Sequence, residues 1–286
     1  VTVAVTGAGG FLGRALVEEL WRAGADPRAL DAETDLRCGD AVRRRLASLR
    51  PDAVVHLGGV SGPMVAADDP ALITAVNAVG TVNVLDACRR LSPRPRVVLA
   101  SSVAVVERLG AIRPTSVYAA TKQFCEDVAQ VFSADGVPVT VVRLGSLYGP
   151  GRRTRHIISD IALSLRAGDG IRITRTAEEP LVHVDDAARF LTRLVERGPA
   201  RLRPYYLVHR RLSHRAIAEQ VARSLERPLR LEVSDDPAPS WSEPLDHRPL
   251  LADTGLAFSV DVAHGIAEMA AAAVAGHDLN NRKDCS

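Results

Sequence analysis

Val1-Thr2-Val3-Ala4-Val5-Thr6-Gly7-Ala8-Gly9-Gly10-Phe11-Leu12-Gly13 is the stretch that decides the fold. A β-branched run is broken by glycines, and from Phe11 the apolar residues take a helical period, with Leu12, Ala15, Leu16 and Leu20 on one face. That reads as strand, tight turn, helix. Gly7 can take a turn conformation that a Cβ would forbid, Gly10 lets backbone approach a ligand, and Gly13 lets the helix lie close to the strand. The helix aims its N-terminal N–H groups and the positive end of its dipole over the turn, which suits a pyrophosphate. Asp31 stands eighteen residues beyond Gly13, at the end of a second short strand, Arg28-Ala29-Leu30, where a carboxylate can accept both hydroxyls of an adenosine ribose. Strand, glycine spacing and distal acid together predict a dinucleotide site at the start of an α/β fold.

The 286 residues suffice for one large or two modest units, and 47% hydrophobic content suffices for a core. Basic and acidic residues number 36 and 34 and are interleaved, which argues against nucleic acid or an anionic membrane surface as a partner. No apolar run reads as transmembrane and no signal-peptide pattern opens the chain, so a cytoplasmic protein is expected. Cys38, Cys88, Cys125 and Cys285 lack Cys-x-x-Cys spacing and paired histidines, so they read as reduced thiols with no metal site. Only Lys122 and Lys283 among the 36 basic residues are lysines. Such a bias fits coding composition, yet it makes the internal Lys122 worth explaining, because an ammonium is compact and titratable where a guanidinium is neither.

Farther along, Asp35 and Leu36 precede a basic helix over 40–49 that Pro51 closes. Ala53-Val54-Val55-His56-Leu57 is a buried strand running into Gly58-Gly59, a second glycine pair at the edge of the first turn, with His56 as a packed strand residue. A long helix from 70 to about 90 carries Asn77 on its apolar face, where it can serve a neighbouring loop or a cofactor. A strand over 96–100 delivers Ser101 and Ser102 to its carboxyl end, where ligands sit in open parallel sheets. Ser116-Val117-Tyr118-Ala119-Ala120-Thr121-Lys122 opens a helix running to about 132 and sets Tyr118 and Lys122 on one face. A nearby ammonium and an oxidised nicotinamide both stabilise a phenolate, which equips a tyrosine for proton transfer. A strand over 139–144 leads to a turn-rich exit at 145–151. Beyond it the pattern predicts a helix near 156–166, a short strand pair at 171–174 and 181–184, a helix over 185–197, a strand over 205–208, a helix over 213–225, a strand over 229–233, a loop over 237–249 and a closing helix over 261–275. The expected division is a nucleotide-binding domain over 1–150, with strand and helix returning to it from the C-terminal part, a substrate domain over 151–276 and a polar tail over 277–286.

The chain resembles the extended short-chain dehydrogenase/reductase family, also called the NAD-dependent epimerase/dehydratase family of nucleotide-sugar enzymes. The matching pieces are Thr6-Gly-Ala-Gly-Gly-Phe-Leu-Gly13, Asp31, Asp35-Leu36, His56-Leu-Gly-Gly59, Asn77-Ala-Val-Gly-Thr81, Ser101-Ser102, Tyr118-x-x-x-Lys122, Arg143-Leu-Gly-Ser-Leu-Tyr-Gly-Pro150 and His183-Val-Asp-Asp186, in the family's order. The resemblance implies a Rossmann doubly wound parallel sheet with a smaller C-terminal α/β substrate domain. It also implies Tyr118 as acid/base, Lys122 on the nicotinamide ribose and Ser102 on the reacting oxygen. Gly7, Gly10, Phe11, Leu12 and Gly13 would meet the pyrophosphate, Asp31 the adenosine ribose, Asp35 and Leu36 the adenine, and Leu57, Gly58, Gly59 and Asn77 the length of the cofactor. Asp31 with no arginine directly after it favours NAD over NADP, with NADP the alternative should an arginine such as Arg28 reach its 2′-phosphate.

The departures from the family narrow the activity. Val103-Ala104 follow Ser102 where the family's 4,6-dehydratases carry Asp-Glu after a threonine, which argues against a dehydratase. Members that bind a nucleotide diphosphate usually have Asn in the place of Ser146 and Arg in the place of Glu179, and a carboxylate there repels phosphate. Arg152, Arg153 and Arg155 are the cations that could compensate. Ser102, Ser146, Arg152 and Glu179 are therefore the candidate substrate residues. The expected function is a ketoreductase or dehydrogenase acting on a sugar or sugar-derived small molecule by hydride transfer. The alternatives are a nucleotide-sugar epimerase and a non-catalytic NAD(P) sensor on the same fold. Oligomeric state stays open, with a homodimer as the form to test.

Overall fold

Residues 1–30, 34–60, 69–197 and 203–283 are described by a computed structural model. Val3, Ala4, Val5 and Thr6 are all buried, so β1 (Thr2–Thr6) is covered on both faces, as central strands of parallel sheets are. The first half continues through α1 (Phe11–Arg22), β2 (Asp26–Ala29), α2 (Gly39–Leu49), β3 (Ala53–His56) and α3 (Pro70–Thr74). A π turn (Ala75–Val79) joins α3 to α4 (Gly80–Arg89), and β4 (Arg96–Ser102), β5 (Glu107–Arg108), α5 (Val117–Ala134) and β6 (Val139–Leu144) follow. The second half runs β7 (Ser146–Tyr148), α6 (Ile157–Ala167), β8 (Ile171–Thr174), β9 (Glu178–His183), α7 (Val184–Arg197), β10 (Tyr205–Leu207), β11 (Arg210–Ser213) and α8 (His214–Ser224). It closes with β12 (Leu231–Ser234), β13 (Ser240–Trp241), α9 (Arg248–Thr254) and α10 (Val262–Lys283).

Six strands form one sheet in the order β10-β6-β4-β3-β1-β2, every neighbouring pair parallel. Helices cover both faces, giving a Rossmann-like doubly wound sheet. Strand alternation assigns the two cores: Val3, Val5, Val55, Val98 and Val142 pack under α1 and α7, while Ala4, Val54, Val97 and Leu99 pack under α2, α4 and α5. From β1 the chain steps outward only to β2 and then crosses to β3 on the other side, so the direction of winding reverses between β1 and β3. That reversal opens the crevice where such sheets bind ligands. A dinucleotide fold with a full first half adds a third strand outside β2. Here residues 34–38 are coil and turn leading straight into α2.

A second core joins Ile158 and Ile161 of α6, Ile217 and Val221 of α8, and Ile266 and Met269 of α10 to Ile171 and Ile173 of β8. Around it lie a three-stranded sheet, β11-β9-β7, and a parallel pair, β12-β8. The strand pair expected between 171–174 and 181–184 does not form: β8 pairs with β12, and β9 lies between β7 and β11. The expected loop over 237–249 holds the two-residue β13, which pairs with β5, and the start of α9. The closing helix runs on through Lys283, because Ala-rich sequence carries it past Gly276 into the polar tail. Contrary to the sequence reading, Pro70–Arg89 is twenty residues of helix with a mean hydropathy of 1.5, long and apolar enough to cross a membrane by those two measures. Its apolar content has another outlet: half of it is buried, with Ile73, Val84 and Leu85 facing the core.

Candidate active site

The β1–α1 turn is closed by its own backbone. Gly7 takes φ +71°, and the Gly10 N–H donates to Gly7 O at 3.0 Å. A Cβ on Gly13 would lie 2.0 Å from Gly7 O, so only glycine lets α1 begin this close to the turn. No side chain caps α1, whose N-cap is Gly10, and its positive end looks into the crevice. A Cβ on Gly7 would come within 2.9 Å of Leu57 C and Gly58 N, which brings the carboxyl ends of β1 and β3 into contact where the winding reverses.

Thr6 and His56 lock that contact. Thr6 Oγ1 accepts from the Gly58 N–H at 2.9 Å and lies 2.6 Å from His56 Nδ1, while His56 Nε2 meets Thr81 Oγ1 at 3.0 Å. Burial, then the nearby Lys122 charge, push the His56 pKa down to about 3, so the ring is a neutral brace. Asn77 serves the loop: its amide oxygen accepts from the Val60 N–H at 2.8 Å and its NH2 donates to Val60 O at 3.1 Å. Its NH2 also lies 3.3 Å from Thr121 Oγ1, so the buried side chain braces the Val60 loop against α5. Asp35, expected at the adenine, is held by Arg37 through Nη2 at 2.8 Å and Nε at 2.9 Å, and these bonds lower its pKa. Leu36 is packed over Gly58 and Gly80. Asp31 lies outside the described residues.

A cleft of about 440 Å³ runs from the glycine turn past Leu57 and Gly59 to Ser102, Tyr118, Lys122, Ser146 and Arg152. Ser116 caps α5 by accepting from the Ala119 N–H at 3.1 Å, which fixes Tyr118 in the first turn and Lys122 one turn on. Lys122 Nζ donates to Ala100 O at 2.9 Å and stands 5.9 Å from the Tyr118 ring centre. The two serines at the end of β4 part ways. Ser101 Oγ donates to Glu126 Oε1 at 2.5 Å, while Ser102 Oγ accepts from the Ala104 N–H at 3.2 Å and keeps its hydrogen for another partner. Glu126 is in turn held by Arg143, with Nη2 to Oε2 at 2.8 Å.

At the far end, β7 and β9 bring Ser146 and Glu179 beside two histidines that carried no signal in the sequence. Ser146 Oγ lies 3.0 Å from His156 Nε2, and His214 Nε2 lies 3.6 Å from Glu179 Oε1. Burial works against the Glu179 charge, but His214, His156 and the Ser146 hydroxyl outweigh it and hold the pKa below the usual glutamate value. Burial, followed by Arg152, pushes His156 down to about 4. Arg152 Nη1 bonds Leu147 O, its Nε bonds Thr154 O at 3.3 Å and its Nη2 bonds Arg155 O at 3.4 Å. Arg155 pairs with Asp160 at 3.2 Å. Arg152 thus lines the cleft with its guanidinium bonded to backbone carbonyls, while Arg155 is paired with Asp160.

The model of the NAD dependent epimerase/dehydratase family matches residues 3–204. Among curated proteins, UDP-glucuronate 4-epimerase 4 of Arabidopsis thaliana is 25% identical over 285 residues, covering 82% of this chain and 64% of its own length. The dTDP-4-dehydrorhamnose reductase of Streptomyces griseus is 35% identical over 158 residues, covering 51% of this chain and 50% of its own. The chain thus spans less than two thirds of the length of either. Among solved structures, UDP-glucose 4-epimerase of Thermus thermophilus, in complex with NAD, superposes with a TM-score of 0.79 at 23% identity over 96% of this chain and 99% of that one.

Proposed function

The chain belongs to the NAD dependent epimerase/dehydratase family, and on that premise we propose that it is an NAD-dependent oxidoreductase interconverting a ketone and a secondary alcohol on a sugar or sugar-derived small molecule. The observation that carries this reading is Lys122, tied to Ala100 O one helical turn from Tyr118 and facing the same cleft as the uncapped end of α1. The turn fits a dinucleotide: the helix end offers backbone donors and a positive dipole with no side chain in the way. Gly7, Gly10, Phe11, Leu12 and Gly13 would hold the pyrophosphate, Leu57, Gly58 and Gly59 would flank it, and Asp31 would hold the adenosine ribose. When bound, the nicotinamide supplies the acceptor or donor of hydride.

In the oxidising direction the Tyr118 phenolate takes the substrate's hydroxyl proton as hydride leaves the carbinol carbon. In the reducing direction the Tyr118 phenol returns that proton to the carbonyl oxygen. Lys122 places a positive charge beside the phenolate and would hold the nicotinamide ribose, and Ser102 donates its hydrogen to the reacting oxygen. A sugar epimerase would use the same three side chains, and the similarity to plant UDP-glucuronate 4-epimerases supports that second reading. Incubation with NAD+ or NADH and a panel of sugars and keto sugars separates them. Net change in NADH absorbance is expected; an altered sugar with no net change would instead establish the epimerase.

Val117, Phe124 and Val131 stand seven apart on α5 and are 43%, 44% and 68% exposed, a stripe that supports a homodimer through α5. A cytoplasmic location completes the reading.

A further inference from the structure

The cluster at the far end of the cleft has a defined hydrogen-bond polarity. His156 Nδ1 accepts from the Ile158 N–H at 3.3 Å, so the neutral ring carries its proton on Nε2 and donates it to Ser146 Oγ. That leaves the Ser146 hydrogen to turn toward Glu179, whose charge the hydroxyl helps to hold. His214 approaches the same carboxylate from α8. The His156 donor is therefore taken up within the cluster. Ser146 lines the cleft, and its remaining lone pair and those of Glu179, whose side chain is 27% exposed, are the acceptors at this end. The adjacent cation, Arg152, is bonded to the carbonyls of Leu147, Thr154 and Arg155.

Resting on the reading of this cleft as a sugar oxidoreductase site, we propose that Ser146, His156, Glu179 and His214 form the subsite that anchors the substrate's far end, taking a hydrogen-bond donor of an unphosphorylated sugar and excluding a nucleoside diphosphate. A hydroxyl or an ammonium completes the lone pairs on offer. A diphosphate brings acceptor oxygens and negative charge, so it meets acceptor with acceptor and charge with like charge. The substrate class is then unlike the UDP- and dTDP-sugars in the names of the relatives.

The test is binding to the NAD+-loaded protein. Calorimetric titration with UDP and with TDP is expected to give no saturable heat, a Kd weaker than about 1 mM, with Glu179→Gln tightening UDP by about tenfold or more. Saturable micromolar binding that Glu179→Gln leaves unchanged would overturn the proposal. The wild-type titration decides the matter if the variant fails to fold. In ligand-observed NMR, D-glucosamine and D-glucose serve as probes of the donor. Saturation transfer to at least one, reduced in Glu179→Gln, is expected; preference for glucosamine assigns the contact to its ammonium, and equal transfer assigns it to hydroxyls. Transfer to neither, or transfer indifferent to Glu179, would overturn the subsite. None of these readouts passes through turnover. A protein that excludes UDP yet reduces and oxidises nothing refutes the catalytic reading alone, whereas tight UDP binding by a working enzyme refutes the subsite alone.

Discussion

Tyr118→Phe removes one oxygen atom from the cleft and leaves the helix, its cap and the cofactor turn in place. Turnover should fall by about two orders of magnitude or more, the scale of general acid–base catalysis, while NAD+ affinity measured by calorimetry stays near wild type. Near-normal turnover would mean that the proton travels by another route. Asp31 makes a second prediction: NAD(H) should bind more tightly than NADP(H), with Asp31→Asn narrowing the gap between the two dissociation constants, because a 2′-phosphate would face a carboxylate. Tyr118 and Lys122 were legible in the sequence because they sit one turn apart and their shared face follows from helical geometry. His156 and His214 were not. Each begins or precedes a helix in the second half, and only the folding of β9 between β7 and β11 brings them to Glu179.

At the scale of elements, β6 and α5 are joined by Arg143 and Glu126, whose side chains are only 12% and 3% exposed. Burial works against the Arg143 charge, and the Glu126 carboxylate more than offsets it, holding the guanidinium's pKa above its ordinary value. Removing one partner of a buried pair strands the other, so Glu126→Ala should lower the unfolding free energy by about 3–5 kcal/mol in urea titrations. A loss below about 1 kcal/mol would place the pair among weak surface bridges. The helix over 70–90 was legible as a helix but not as a broken one. Its π turn at Ala75–Val79 adds a residue to one turn, which the spacing of apolar residues does not reveal, and Asn77 sits within it with its amide against Val60. Strand partners in the second half were equally invisible, because β9, α7, β10, β11 and α8 all intervene between β8 and β12 and their pairing carries no local signature.

For the whole molecule, two buried histidines set the acid limit. His56 and His156 titrate near 3 and 4 in the native state against 6.5 in a solvated chain. Between those values the unfolded chain binds protons that the folded one refuses, so stability is full above pH 6.5 and falls as pH drops toward 4. At about 1.4 kcal/mol per pH unit for each ring, urea unfolding at about pH 4.5 should show a loss of about 2–3 kcal/mol per histidine relative to about pH 7. His156→Gln should flatten that dependence, whereas a variant with the wild-type slope would place the titration elsewhere. The sheet, its direction and its glycine crevice were legible from the first thirteen residues, because local strand, turn and helix signals agree with the global topology. The way the chain returns has a consequence for dissection. α7 packs on α1 and β10 forms the outer strand beside β6, yet both follow segments that build the second core. A fragment ending at Pro150 would leave Leu16 and Leu20 bare and β6 as a raw edge open to aggregation. The cofactor half is consequently not expected to fold as an autonomous module onto which a new substrate half could be grafted as a cassette; on the proposed subsite, specificity would be rebuilt in place, through the side chains of β7, β9 and α8.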